Sequence, residues 1–281
     1  MKFLKIFAAV LIVVAVLIFG AAKIFPGEMF LLKNYILDFS VKPTLTTVDN
    51  IPTEITNIDE LLNGGAVLCD SLMLINEEYP VSSDYSSNII EYKGVQMNPL
   101  TEKAYIELKN AVMDEFGTNI YIMSAFRSFE EQLEIIESEN EYAASADSSE
   151  HLTGLALDIY VKYHAGMGFI DSDEGQFVNK CCQNYGFIIR YPHYGESITK
   201  IPYEPWHIRY VGIPHSKIIT ESKLTLEEYI LSFIPGEIYI YNDYFITRQS
   251  PDESFYIPEN CFDITVSPDN TGYFIITGKC R

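Results

Sequence analysis

Apolar residues follow several different patterns along this chain. From Ile6 to Ala22 (IFAAVLIVVAVLIFGAA) they run uninterrupted for 17 positions, with Lys2 and Lys5 before them and Lys23 after. As a helix at about 1.5 Å per residue the run reaches about 25 Å, a little short of the ~30 Å hydrocarbon core, and snorkelling lysines make up the difference. It predicts a single-span membrane anchor over residues 1–23, or alternatively a signal peptide with Gly20-Ala21-Ala22 as its cleavage site. In both readings the early lysines hold the amino terminus in the cytoplasm and everything after Lys23 is extracytoplasmic.

Residues 24–60 contain Pro43, Pro52 and several threonines without a helical period, and predict a linker. After Pro99, the positions Ala104, Leu108, Ala111, Val112 and Glu115 keep helical spacing, with Asn98 as cap and Gly117 as stop. IYIMSA, from Ile120 to Ala125, predicts a buried strand, and Ser128 with Glu131 forms a capping box opening a helix that presents Gln132, Leu133 and Ile136. An acidic, Ser/Ala-rich loop runs from Glu137 to Glu150. From Leu155 to Tyr160 the pattern alternates, placing Leu155, Leu157 and Ile159 on one strand face and Ala156, Asp158 and Tyr160 on the other.

A helix over Glu174–Tyr185, stopped by Gly186, precedes strands at Phe187–Tyr191 and Trp206–Val211. Beyond residue 222, Thr225 and Glu228 cap a short helix, and two hairpins turn around Asn242-Asp243 and Pro268–Gly272. The predicted class is α+β, with a core domain at 61–221 and a small, mostly β appendage at 222–281.

Composition narrows the function. Nineteen Lys and Arg stand against 39 Asp and Glu in 281 residues, a net charge of −20 that excludes nucleic acid as a main partner. The same charge gives no attraction to anionic polymers or surfaces. A hydrophobic fraction of 48% rules out a disordered chain. The five cysteines form no CxxC pair, so metal ligands must be His and carboxylate. Cys181 and Cys182 read as buried, inert thiols, and a Cys261–Cys280 pairing across the terminal hairpin stays open.

The chemistry concentrates in SEHLTGLALDI (149–159) and EPWH (204–207). A turn at Gly154 lets His151 and Asp158 converge on one ion, and His207 supplies a third ligand while Glu204 stays free to hold a water. Two histidines and one aspartate leave zinc an open position, as a catalytic zinc requires. Arg127, in SAFRS between a predicted strand and a capped helix, is a fixed cation suited to stabilising a developing oxyanion. Arg209 alternates with His207, either as support for the site or as a surface cation. His164, His193 and His215 belong to no motif and read as surface or loop histidines, and Trp206 as a packing residue.

In these segments, together with SAFRSFEEQ (124–132), YGFIIRYP (185–192) and YEPWHIRYVG (203–212), the sequence resembles the VanY-type D-alanyl-D-alanine carboxypeptidases, zinc peptidases grouped with VanX and VanXY. The resemblance spans roughly residues 65–215 and implies a zinc peptidase core with a central antiparallel sheet and flanking helices. It implies zinc ligation by His151, Asp158 and His207, Glu204 as general base, Arg127 as oxyanion stabiliser, and Gln132 and Ser149 holding the substrate's terminal carboxylate. The expected activity is removal of the last D-alanine from peptidoglycan stem pentapeptides, free or on their lipid-linked precursor. Such trimming lowers the number of termini available to glycopeptide antibiotics. An L,D-carboxypeptidase acting on tetrapeptide stems and a non-catalytic module binding wall peptides are the rival readings.

Overall fold

The computed structural model describes residues 2–36, 42–48, 53–82, 85–139 and 145–280. The strand Ala156–Tyr160 has two chemically different faces, and the molecule is built around that difference. Leu157 and Ile159 enter a core with Leu108, Val112, Phe187 and Ile208, and Asp158 lies on the opposite side. Four strands form an antiparallel sheet in the order Tyr121–Ser124, Ala156–Tyr160, His207–Tyr210, Phe187–Ile189. Register pairs Ser124 with Asp158, and Asp158 in turn with His207, while Ala156 pairs with Arg209.

Helix Pro99–Phe116 packs on the apolar face through Ala104, Tyr105, Leu108 and Val112. The Asn98 side chain accepts from the Leu100 amide, and Gly117 closes the helix in the left-handed conformation, as the sequence predicts. The Ser128–Glu131 capping box is formed in both directions at the start of helix Phe129–Glu139. The helix predicted over Glu174–Tyr185 is an α-helix from Asp173 to Cys181 that tightens into a 3-10 turn, Cys182–Tyr185. Part of the acidic loop, 140–144, lies outside the described residues.

The carboxy-terminal hairpins form around Asn242-Asp243 and Pro268–Gly272. Their sheet is larger than the appendage expected from residues 222–281, because earlier segments join it. Its six strands run Thr46–Thr47, Ile238–Tyr241, Tyr244–Gln249, Phe274–Lys279, Phe262–Pro268, Val67–Leu68. Thr53–Thr56 pairs separately with Phe255–Pro258. The stretch expected as a linker thus supplies strands, and its helix Pro26–Ile36 docks on the turn Gly166–Asp171, where the Gly27 amide donates to Asp171 Oδ1 at 3.0 Å.

The amino-terminal apolar run is helical from Lys2 to Ile24. Among the described residues, however, no helix is long and apolar enough to cross a membrane, which overturns the expected single-span anchor and single-pass placement. The uninterrupted apolar run is only 17 residues, and its helical reach of about 25 Å falls short of a ~30 Å hydrocarbon core.

All five cysteines are free, including Cys261 and Cys280, which pack into one apolar cluster of the carboxy-terminal unit. That unit and the four-stranded sheet share a second core, in which Ile188, Val211, Ile218 and Ile219 meet Leu226, Tyr229, Phe233, Ile246 and Ile275. His215 lies in this seam and is a buried residue, not the surface histidine its isolation in the sequence suggested. Its Nδ1 meets the Tyr229 hydroxyl at 2.7 Å and its Nε2 the Thr277 hydroxyl at 3.1 Å.

Burial pushes the His215 pKa down to about 3. Below the ordinary histidine value of about 6.5, the unfolded chain takes up a proton that the folded chain refuses. The stability due to neutral His215 is therefore complete above pH ~6.5 and drains away as pH falls toward 3. In urea titrations at a series of pH values, wild type is expected to lose more stability between pH 7 and 4.5 than His215→Gln; parallel profiles would contradict this.

Candidate metal centre and active site

Sheet register brings the first two site residues together. Asp158 and His207 are cross-strand partners, and His207 Nδ1 lies 3.0 Å from Asp158 Oδ1. His151 arrives from the 3-10 turn Glu150–Thr153, with its Nε2 3.3 Å from Asp158 Oδ2. One ligand atom from each of the three residues lies within 4.8 Å of the others, and all three side chains are buried. The imidazole rings stand nearly perpendicular, 5.1 Å apart.

The turn that delivers His151 needs Gly154. Its φ is +66°, its amide donates to the His151 carbonyl, and a Cβ there would lie 2.6 Å from Ile89 Cδ1 and 2.8 Å from the Asn98 nitrogen. The Arg127 amide donates to the same His151 carbonyl, tying the arginine's loop to the histidine's turn.

Arg127 is held at three points: Nε to Ser124 Oγ at 2.8 Å, Nη1 to Gln132 Oε1 at 3.2 Å, and Nη2 to Asp158 Oδ2 at 3.0 Å. Gln132 is buried. Ser149 is buried too, and its hydroxyl makes no capping bond to the turn that follows it. The Glu204 carboxylate stands 3.7 Å from His207 Nδ1, on a turn in which the His207 amide donates to the Glu204 carbonyl. Six of the seven residues predicted from sequence are thus linked in one cluster, and Ser149 lies two residues before His151 at the start of its turn. Of the seven, Arg127 alone lines a neighbouring cleft of about 460 Å³, together with Phe126, Glu131, Glu134 and Ile135. A second cleft, about 480 Å³ and lined in part by Glu54, Cys261 and Asp263, contains none of the seven.

The protonation states of His151 and Asp158 already suit a metal ion. Burial pushes the His151 pKa down against the pull of Asp158, favouring neutral imidazole. Burial opposes ionisation of Asp158, but the two histidines overcome it and hold the carboxyl well below the usual range. For His207, burial is outweighed by the hydrogen bond to Asp158 and by the nearby carboxylates of Glu150 and Glu204, which lift it to about 9. Burial raises Glu204, with His207 and Arg127 pulling the other way. The outer nitrogen of His151 is held, its Nδ1 meeting the Ala125 carbonyl, whereas His207 Nε2 faces Glu150 at 3.8 Å without a hydrogen bond. A neutral His151, an ionised Asp158 and a His207 that gives up one ring proton on binding form the donor set of a divalent ion, and zinc fits it.

Residues 94–213 match the family described as VanY: D-alanyl-D-alanine carboxypeptidase. Over 179 residues the chain is 34% identical to the bifunctional D-Ala-D-Ala dipeptidase and D-Ala-D-Ala carboxypeptidase VanXYC of Enterococcus gallinarum, covering 57% of this chain and 93% of that protein. The chain belongs to the VanY family. The vancomycin-resistance D,D-dipeptidase VanXYg, solved with a D-Ala-D-Ala phosphinate analogue, superposes with a TM-score of 0.66 at 28% identity, covering 82% of this chain and 100% of that one. A VanY D,D-pentapeptidase variant from a VanB-type resistance cassette, solved with Zn(II), superposes with a TM-score of 0.51 at 27% identity, covering 57% and 98%. The chain spans only 65% and 66% of the length of two curated relatives that it matches at 31% and 34% identity.

Three charged residues of this VanY-family fold were missed by sequence reasoning. Glu150 is buried between Arg190 Nε at 2.7 Å and Arg209 Nη1 at 2.9 Å, and Glu227 grips Arg190 from the other side. Arg209 is fully buried and is no surface cation. The available signals were Glu150 directly preceding His151 and Arg190 interrupting the apolar run FIIRY.

Two outcomes follow from the VanY-family site. Because His207 carries a proton near neutrality, metal binding should release it, so affinity for a divalent ion should rise with pH up to about 9. Calorimetry in buffers of differing ionisation enthalpy would count the proton. Gly154→Ala should cost more than about 2 kcal/mol through its left-handed φ and the close contacts, and weaken metal binding in parallel. Urea and metal titrations of the same sample would test both effects.

Proposed function

We propose that the chain is a zinc-dependent D,D-carboxypeptidase that removes the terminal D-alanine from peptidoglycan stem pentapeptides, free or on their lipid-linked precursor. The observation that carries this reading is the convergence of His151 Nε2, the Asp158 carboxylate and His207 Nδ1, with Glu204 and Arg127 beside them. Zinc, when bound by these three ligands, supplies a Lewis acid that polarises the scissile carbonyl and lets water ionise near neutral pH.

The chain's own residues do the rest. Glu204 takes a proton from the attacking water, and burial makes it a better base than an ordinary surface carboxylate. Arg127, fixed at three points, donates to the carbonyl oxygen as it becomes an oxyanion. Glu204 then delivers its proton to the departing amine as the C–N bond breaks, leaving a tetrapeptide carboxylate and free D-alanine. Gln132 and Ser149 hold the terminal carboxylate of the substrate. Water is the nucleophile and no acyl-enzyme forms, so β-lactams should have no effect and chelators should abolish turnover. Fewer D-Ala-D-Ala termini would reduce the targets for glycopeptides.

The test incubates the zinc-loaded chain with a synthetic pentapeptide stem and its tetrapeptide, following products by mass. Loss of one alanine from the pentapeptide alone is expected, with Glu204→Ala slower by about 10²- to 10⁴-fold yet still binding zinc. Cleavage of the tetrapeptide alone would move the assignment to L,D-carboxypeptidase. Zinc and peptide uptake without product from either would leave a binding module.

A further inference from the structure

Among the buried side-chain atoms that make no hydrogen bond, which include Arg209 Nη1, two lie on a candidate metal ligand and the carboxylate facing it: Glu150 Oε2 and His207 Nε2. They face each other at 3.8 Å. Buried polar groups in native proteins are rarely left alone, because an unmade hydrogen bond there forfeits hydration with nothing in return. A shift of under about 1 Å would satisfy both at once, with the ring N–H donating to the carboxylate.

The other contacts of Glu150 leave Oε2 available for this. Arg190 Nε and Arg209 Nη1 both meet Oε1, at 2.7 and 2.9 Å. Arg190 is in turn gripped by Glu227 through two bonds, Nη1 to Oε2 at 3.0 Å and Nη2 to Oε1 at 2.6 Å. Arg209 spends Nη2 on the Met73 carbonyl at 3.0 Å. The guanidinium of Arg190 also lies over the Tyr191 ring at 4.9 Å, and that ring is 5.0 Å from the imidazole of His207. His207 is thus approached from two sides by groups that Arg190 holds.

We propose that Glu150 is a positioning residue for His207, fixing the tautomer whose Nδ1 is free to bind metal, and that Glu227 of the carboxy-terminal unit holds Glu150 in place through Arg190. Glu227 belongs to helix Leu226–Ser232, whose Leu226, Tyr229 and Ile230 pack with the tail strands at Tyr239, Ile246 and Ile275. This helix lies beyond the stretch 94–213 that matches the family. The carboxy-terminal unit is therefore part of the metal site's construction: it clamps an arginine, the arginine aims a carboxylate, and the carboxylate orients a ligand. The inference rests on the zinc reading given above.

The test uses the full chain, stripped of metal with a chelator and reloaded with zinc. In ring-¹⁵N histidine spectra of wild type, His207 should be bound through Nδ1 and protonated at Nε2; binding through Nε2 would overturn the proposal without any variant. Zinc affinity is then measured by competition with a chromophoric chelator. Glu150→Gln should bind zinc about 10- to 100-fold more weakly, and Glu227→Gln less affected, by about 3- to 10-fold. Turnover by the zinc-saturated variants should fall in kcat with KM for the peptide unchanged, a split that general loosening of the fold would not give. A folded Glu150→Gln with zinc affinity within twofold of wild type would sink the role of Glu150. Should that variant fail to fold, an unchanged affinity and unchanged His207 spectrum in Glu227→Gln would sink the coupling to the tail. Wild type that binds no zinc would instead remove the zinc reading itself.

Discussion

Asp158 and His207 face each other across two antiparallel strands, and the rest of the site depends on that register. A slip of either strand by one residue would turn its own ligand to the opposite face and bring Leu157 or Ile208 to that position. The register is secured from the other side of the same sheet, where Leu157, Ile159 and Ile208 are locked into the core beneath helix Pro99–Phe116. Core and chemistry are thus two faces of one alternation. His151, the third member, is not on the sheet, and a left-handed glycine turn brings it there.

The ligand-bearing face of this sheet is also buried, which gives the arginines their importance. In an acidic chain with five arginines, four pair with carboxylates: Arg127 with Asp158, Arg190 with Glu150 and Glu227, Arg209 with Glu150, and Arg248 with Asp269. Three of those four lie at or behind the metal-binding residues. Burying such charges is favourable only when geometry and hydrogen bonding are nearly complete, and the planar guanidinium with its several donors meets that demand better than a lysine. Glu150 shows the effect: burial alone would favour its neutral form, yet the two arginines hold the carboxyl far below its ordinary range.

Elements with a long periodic pattern were legible in the sequence. The capped helix after Asn98, the capping boxes at Ser128 and Thr225, the alternating strand around Asp158 and both terminal hairpins all stand where the pattern put them. The site was legible because its residues cluster in short motifs. What stayed hidden has physical reasons. Strands of two residues, such as Thr46–Thr47 and Val67–Leu68, are too short to carry a period, and their partners lie far away in sequence. Buried charges read as surface residues from sequence alone, which concealed Glu150, Arg190 and Glu227, and the same habit placed His215 on the surface. The apolar run at the amino terminus shows the opposite error: its hydrophobicity was plain, and its shortfall against the hydrocarbon core was taken to be covered by the flanking lysines.

The pairing of early with late strands has a consequence for the order of assembly. Thr46 and Thr47 add to a strand that begins at Ile238, and Val67 and Leu68 add to one ending at Pro268. On a ribosome making about 5–20 residues per second, these early segments would wait on the order of ten seconds or more for partners. The sheet holding the metal ligands is complete in sequence by Tyr210, whereas Glu227 and the strands behind it emerge afterwards. The nascent chain would pass through an interval in which Arg190 and Glu150 exist without their clamp, and maturation of the metal-binding residues would be among the last events of folding.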